Sequence, residues 1–367
     1  MEKDLRFFLK FVGIMRMNDY LADSRQLLCQ LIATPSVSRD ETRAADVMEN
    51  AMRTYGFTPK RKANNVWIVD PHYDGQRPTL LLNAHIDTVK PTAGWQHDPF
   101  TPSLEGDKLF GLGSNDCGGG LVTLLQTFRY MVGKQRNYNL IYLASAEEEV
   151  SGANGISLVL PLLPKIDVAI VGEPTGLQPA TAERGLMVLD LIAHGKSGHA
   201  ARNEGVNAIY QALDDMRWIH DYRFGRVSPL LGPTKMMLTV VKAGTQHNVV
   251  PDRCDMLVDV RVNELYTNEE VFDIIRRHVQ SEVHAHSFRL HPSSIAADHP
   301  LVRRCVELGL KPFGSPTLSD QALMPFPSLK LGPGESSRSH TADEFIRIDE
   351  LENALRLYAQ LLTGLTL

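Results

Sequence analysis

Three short, almost uninterrupted apolar runs stand out along the chain: 79–83, 139–144 and 167–171. Runs of this length without alternation predict strands covered on both faces. Around them the apolar positions fall at helical spacing. One amphipathic helix is expected over 18–32, closed by Thr34-Pro35, and another over 41–55, with Ala44, Val47, Met48 and Met52 on one face and Gly56 at its end. A short strand at 66–69 precedes the turn-like PHYDGQRP, and an apolar helix is expected over 121–131. Strands that alternate with helices predict a mixed, mostly parallel sheet flanked by helices, of the α/β class. After Glu183 the pattern changes. Residues 187–194 alternate as a half-exposed strand, and 203–219 read as a helix with Val206, Ile209, Leu213, Met216 and Ile219 on one face. Strands are expected at 235–242 and 256–262, a Thr267/Glu270 capping box opens a helix through Val279, and 288–291 reads as a last strand. This β-α-β-β-α-β order predicts an inserted ferredoxin-like α+β domain. From about Ser294 the first pattern resumes, with a strand at 329–331 and a final helix over 349–362. The expected boundaries are 1–182 and 294–367 for the two parts of a main domain, and 183–293 for the insertion.

Composition adds exclusions. The 367 residues are 43% hydrophobic and 22% charged, enough to bury a sizeable core, and a net charge of −5 leaves no basic footprint for nucleic acid. Cys29, Cys117, Cys254 and Cys305 are scattered without a C-x-x-C pair, which fits a reducing, cytoplasmic setting. Residues 1–16 read as a short helical extension, with Met17 an equally good start, and no run is long and apolar enough to cross a bilayer. No membrane partner is expected.

Ionisable residues gather where the apolar runs end. His85 and Asp87 follow the first, Glu147, Glu148 and Glu149 the second, and Glu173 the third; Asp116 lies in a glycine-rich loop, GLGSNDCGGG, just before a helix. In an open parallel sheet all of these collect beyond the carboxyl ends of the strands. Carboxylates brought together there repel one another unless cations sit among them, so the pattern points to metal. A long Gly/Pro-rich connection after Val89 is of the kind that lies over a site. GLGSND lacks the third glycine of a dinucleotide loop, GKSGH lacks the spacing of a nucleophile elbow, and no phosphate-binding lysine loop exists. His284 and His286 read as a solvated strand of the small domain, and Cys117 is a nucleophile only if the metal reading fails.

AHIDTV, GLGSND, SAEEEVSG, VGEPT, GKSGHAA, the pair QHNVVPD and VDVR, and SRSHTADEF run in one order from about residue 20 to the end. Together they resemble the di-zinc aminoacylase, deacetylase and exopeptidase family, which includes acetylornithine deacetylase, succinyl-diaminopimelate desuccinylase and glutamate carboxypeptidases. The resemblance implies a catalytic zinc domain interrupted by a smaller domain through which a homodimer forms. It implies two Zn2+ per subunit, replaceable by Co2+ or Mn2+. His85 and Glu173 would hold one ion, Glu149 and His340 the other, with Asp116 between them; Asp87 would orient His85 and Glu148 would be the general base. His199, in GKSGHAA, resembles the histidine that reaches a neighbouring subunit's site to stabilise the oxyanion. Asn248 and Arg261 resemble residues that hold a substrate carboxylate, and Arg261 is nearly as well read as one half of a structural ion pair.

The loop departs from the family pattern, reading Asp116-Cys117-Gly118-Gly119-Gly120 where a lysine is usual. The stretch at Ser319–Ala322 with GPGESSRSH is closer to the deacetylases of N-acyl diamino acids than to dipeptidases, and Asp320 or Arg338 either reads the substrate or is an ordinary loop residue. The function implied is removal of an acetyl or succinyl group from ornithine or a close analogue in arginine biosynthesis, the partner being a small N-acyl amino acid. A succinyl-diaminopimelate desuccinylase, or a di-zinc dipeptidase or aminopeptidase, is the alternative.

Overall fold

Apolar runs that cannot face water on either side need cover on both, and this requirement builds the first part of the structure. The computed structural model describes residues 17–202 and 204–367, so the expected extension over 1–16 lies outside the described residues. The chain divides into two compact units, one of Met1–Thr181, Ile295–Pro312 and Met324–Leu367, the other of Ala182–Ser294 and Phe313–Leu323.

In chain order the main helices are α1 (Met17–Ile32), α2 (Thr42–Thr54), α3 (Gly119–Val132), α4 (Ala208–Asp221), α5 (Asn268–His278), α6 (Pro300–Glu307) and α7 (Ile348–Leu362). The main strands are β1 (Lys60–Lys62), β2 (Asn65–Val69), β3 (Thr79–His85), β4 (Asn139–Ser145), β5 (Val168–Val171), β6 (Ala180–Glu183), β7 (Gly185–His194), β8 (Lys235–Ala243), β9 (Arg253–Val262), β10 (Glu282–Ala285) and β11 (Ser328–Lys330).

The sheet of the first unit runs in the order β1-β2-β4-β3-β5-β11-β6. Its centre is parallel, with β3 between β4 and β5 and β11 beside β5, while β1 and β2 run antiparallel at one edge. Every residue of β3, β4 and β5 is buried. β3 does not stop at Asn83 as expected; it continues to His85, which pairs with Ser145. The polar Asn83 is tolerated inside because its side-chain amide donates to Ser145 Oγ at 2.9 Å. α3 is buried almost all round, its Leu121, Val122, Leu124, Leu125 and Phe128 joining one core with Leu27 and Leu28 of α1 and Leu351, Ala354 and Tyr358 of α7.

The second unit has the β-α-β-β-α-β order β7-α4-β8-β9-α5-β10, with a four-stranded antiparallel sheet arranged β8-β9-β7-β10. β7 and β9 alternate strictly between buried and part-exposed positions, the signature of a sheet with one covered face. The Thr267/Glu270 capping box opens α5. α4 starts later than expected, at Ala208, because Asn207 caps it by accepting from the Ile209 N–H at 2.9 Å. The last strand is 282–285 rather than 288–291, and it carries His284 on its solvent side. Segment Phe313–Leu323 also belongs to this unit, where the Ser319 N–H and Oγ–H donate to the buried Glu183 carboxylate at 3.1 and 2.7 Å.

Candidate metal centre

Each side chain of the candidate centre is delivered by the end of a buried strand or by a loop pinned to one. His85 is the last residue of β3 and is fully enclosed. Its Nδ1 lies 2.9 Å from the Asp87 backbone carbonyl and 3.5 Å from Asp87 Oδ1. The backbone oxygen is therefore the nearer partner for an Nδ1–H, which leaves Nε2 to face the centre. Around Nε2 stand three carboxylates: Asp116 Oδ1 at 3.3 Å, Glu173 Oε1 at 3.7 Å and Glu148 Oε2 at 3.9 Å.

Asp116 has a second face. Its Oδ2 lies 3.7 Å from His340 Nε2, and that nitrogen is 2.9 Å from Glu149 Oε2. One carboxylate thus stands between two imidazoles, each with another carboxylate beside it. Donor atoms of His85, Asp116 and Glu149 all lie within 4.8 Å of one another, as do those of His85, Cys117 and Glu173.

The backbone of the acidic triplet is held by two further carboxylates. Asp87 accepts from the Glu148 N–H at 3.0 Å through Oδ1, and from the Glu149 N–H at 3.1 Å and Ser38 Oγ–H at 2.7 Å through Oδ2. Glu41 accepts from the Glu147 N–H at 3.3 Å. Glu147 itself turns away, its carboxylate taking the Asn154 side-chain amide at 2.9 Å. Sequence reading missed Glu41 and also Glu344. The latter accepts from the N–H groups of Gly113, Asn115 and Asp116 at 3.1, 2.8 and 2.9 Å. Glu344 lies inside the SRSHTADEF motif, but nothing in a sequence says which loop a buried carboxylate will meet.

The electrostatics are those of a crowd of like charges out of water. Burial and the neighbouring Asp116 push Glu173 up to about 8. Its Oε1 has no hydrogen-bond partner, an uncommon state for a buried carboxylate. The hydrogen bond to Glu149 pushes His340 up to about 9. Burial works against charge on His85, yet Cys117, Asp116 and Asp87 raise its pKa well above the ordinary imidazole range. Burial alone would raise Asp116, and the two imidazoles hold it below its usual value instead. A cation here would relieve the repulsion and occupy the orphaned oxygen, and the carboxylate and imidazole donors suit a divalent ion such as zinc. Cys117 is enclosed, its Sγ accepting from the His85 N–H at 3.2 Å, and burial pushes the thiol up, so it is no nucleophile.

The remaining expected residues are placed as follows. His199 and Asn248 are neighbours on the second unit: His199 bridges Val249, and the Asn248 carbonyl accepts from the Ala200 N–H at 3.0 Å. Arg261, in the same unit, turns its fork to Asp259 at 2.8 and 3.0 Å. Asp320 is buried there in a short turn. Arg338, in the first unit, is held by both oxygens of Glu350 at 2.8 and 2.9 Å and lies over the Phe345 ring. That places it as a brace for the start of α7. Among the described residues no helix is long and apolar enough to cross a membrane.

Residues 81–364 match the model of peptidase family M20/M25/M40. Acetylornithine deacetylase of Proteus mirabilis (strain HI4320) is 28% identical over 385 residues, covering 96% of this chain and 99% of that protein. Aminopeptidase PepT of Bacillus cereus ATCC 10987 shares the fold with a TM-score of 0.76 at 18% identity, over 93% of this chain and 98% of that one. YXEP of Bacillus subtilis, described as a dinuclear metal-binding peptidase, does so with a TM-score of 0.71 at 16% identity, over 95% and 99%.

Proposed function

The chain belongs to peptidase family M20/M25/M40 and is a hydrolase, and on that premise we propose that it removes an acetyl or succinyl group from the α-nitrogen of ornithine or a close analogue, in arginine biosynthesis. The observation that carries the reading is Asp116, whose two oxygens face two different imidazoles, His85 and His340. His85 and Glu173 would hold one ion, His340 and Glu149 the other, and Asp116 would be shared. Zinc is the ion proposed, with Co2+ or Mn2+ able to replace it. When bound, such a pair lowers the pKa of a water between the ions toward about 7 and polarises the scissile carbonyl.

Glu148, whose Oε2 lies 3.9 Å from His85 Nε2, takes the proton of the attacking water and returns it to the departing amine. Asp87 fixes the backbone on which Glu148 and Glu149 sit. His199 is assigned to the developing oxyanion in the site of a second copy, with Asn248 beside it at the substrate carboxylate. Arg261 can join them only by leaving Asp259. Asp320 is assigned to the substrate's side chain or acyl end, a role for which Arg338 would first have to give up Glu350. The same reading has the protein in the cytoplasm, which the four free cysteines support, and working as a homodimer.

The similarity to acetylornithine deacetylase favours deacylation, and the aminopeptidase and peptidase among the structural neighbours keep a peptide substrate as the second reading. A matched panel separates them: N-acetylornithine, N-succinylornithine, N-acetylcitrulline, succinyl-diaminopimelate and a dipeptide, with free amine measured with and without added zinc. Metal-dependent release from one acylated ornithine, falling about 10²–10⁴-fold in Glu148→Gln, is expected. Release from the dipeptide alone would sink the deacylase, and no release from any substrate would sink the hydrolytic site.

A further inference from the structure

Two chain segments far apart in sequence have to meet for Asp116 to lie between His85 and His340: the loop 111–116 and the stretch 335–345. The structure shows how they are joined. Phe345 pairs with Phe110 in a small antiparallel sheet, which brings the two stretches side by side. The Asn115 side chain then spans the gap, its Nδ2 donating to the Glu335 carbonyl at 3.1 Å and its Oδ1 accepting from the Glu335 N–H at 3.0 Å. Glu344 makes the third link and the most polar one. Its side chain is 1% exposed, follows His340 by four residues, and takes three backbone N–H groups of the opposite loop. Three N–H donors on one carboxylate make a multiple clamp, and they act against burial and the neighbouring Asp116, which push Glu344 up to about 7.

We infer that Glu344 is a positioning residue that sets Asp116 and His340 relative to each other, and through them the spacing of the two metal half-sites. One of its three donors is the N–H of Asp116 itself, so the carboxylate that stands between the imidazoles is anchored at its own backbone. The other end of the clamp is on the segment that carries His340. Displacing Glu344 would therefore move a donor of both half-sites, although Glu344 is not one of the donors assigned to either. Asp87 does the corresponding work for Glu148 and Glu149, so the loops carrying Asp116 and the Glu148/Glu149 pair each have a buried carboxylate beneath them. The inference rests on the two-metal reading above.

The test is zinc binding by the full-length protein, stripped with a chelator and titrated with zinc alone against a competing indicator. Wild type is compared with Glu344→Gln, which keeps the shape and turns an amide toward the N–H donors, and with Glu344→Asp, which keeps the charge and shortens the reach. Asp215→Asn is the control. Asp215 is a buried carboxylate of the second unit that also accepts backbone N–H groups, from Gln280 and Ser281 of the same unit at 2.9 and 2.8 Å. The expectation is two zinc ions in wild type, about 10–100-fold weaker binding in Glu344→Gln, partial recovery in Glu344→Asp, and unchanged affinity in Asp215→Asn. Zinc affinity in Glu344→Gln equal to wild type would overturn the inference, whatever happens to its melting temperature. Equal losses in Asp215→Asn would overturn it too, by showing that any buried carboxylate has the same effect. Should Glu344→Gln fail to fold, Glu344→Asp decides alone: wild-type affinity there overturns the inference. A wild-type protein that takes up no zinc overturns the two-metal reading itself.

Discussion

Asp116 is where the charge balance of the molecule is hardest to keep, because its two oxygens are shared by His85 and His340 while Glu148, Glu149 and Glu173 stand around them. Without a cation the crowd is relieved by protons. Glu173 moves from an ordinary 4.5 up to about 8, and His340 from 6.5 up to about 9. Between pH 4.5 and 8 the folded chain therefore keeps a proton on Glu173 that the unfolded chain has released, and between 6.5 and 9 the same holds for His340. Where the folded state binds more protons, stability falls as pH rises. The metal-free protein is accordingly expected to lose melting temperature from pH 5 to pH 9. Glu173→Gln, which imitates the protonated acid, should lose less, so the gap between variant and wild type should widen with pH in scanning fluorimetry of chelator-treated protein. A gap that stays constant across that range would show that Glu173 carries no proton. At this scale the sequence was informative in an uneven way. His85, Glu149 and Glu173 are legible as ionisable residues at the ends of apolar runs, Asp116 through its glycine-rich loop, and His340 only through the SRSHTADEF motif that carries the resemblance. Glu41 and Glu344 leave no such mark, since their partners are backbone N–H groups that every residue possesses.

The elements position these side chains by close approach, and Gly120 is the clearest case. A Cβ at this position, in the first turn of α3, would lie 1.7 Å from the Gly172 carbonyl oxygen, just beyond the end of β5. Only glycine lets the helix that follows Asp116 come this near to the strand that precedes Glu173. Gly120→Ala has no flexible side chain to push aside, because the obstacle is backbone. The expectation is a loss of about 1–3 kcal/mol in denaturant unfolding, with weakened zinc uptake as α3 backs away from β5. Wild-type stability and wild-type zinc uptake together would show that the contact is slack. Element positions were largely open to reading, because β3, β4 and β5 are buried on both faces and α3 carries a dense run of apolar residues. The errors fell where local hydrogen bonding outweighs the apolar pattern. Asn83 looked like a strand end, yet its side chain donates to Ser145 and the strand runs on to His85. Asn207 caps α4 after the apolar spacing has already begun at Val206. Residues 288–291 have strand-forming composition, but the strand beside β7 is 282–285.

At the scale of the whole molecule, the edge of the second unit's sheet is the feature that calls for a partner. β8 is the edge strand, and its central stretch from Met236 to Val241 carries no charge, whereas isolated edges are usually guarded by charged residues or proline. Met237 and Val241 on that strand are 67% and 47% exposed, and Tyr210 and Leu213 of α4, which packs along it, are 69% and 47% exposed. Tyr210 and Leu213 are three residues apart and share one face of the helix. A second copy of the same chain, the partner proposed above, would satisfy both features at once, since a two-fold axis would set edge against edge and helix against helix. A second copy is also what the role proposed for His199 requires. Met237→Asp combined with Tyr210→Glu is then expected to turn a dimer into a monomer in sedimentation velocity. Deacylation should fall with it, through kcat more than KM, because the group assigned to the oxyanion leaves while the metal ligands stay. A wild-type monomer would remove the dimer from the account. A monomeric variant with wild-type kcat would keep the dimer and remove His199 from the partner's chemistry, leaving the oxyanion to groups within one chain.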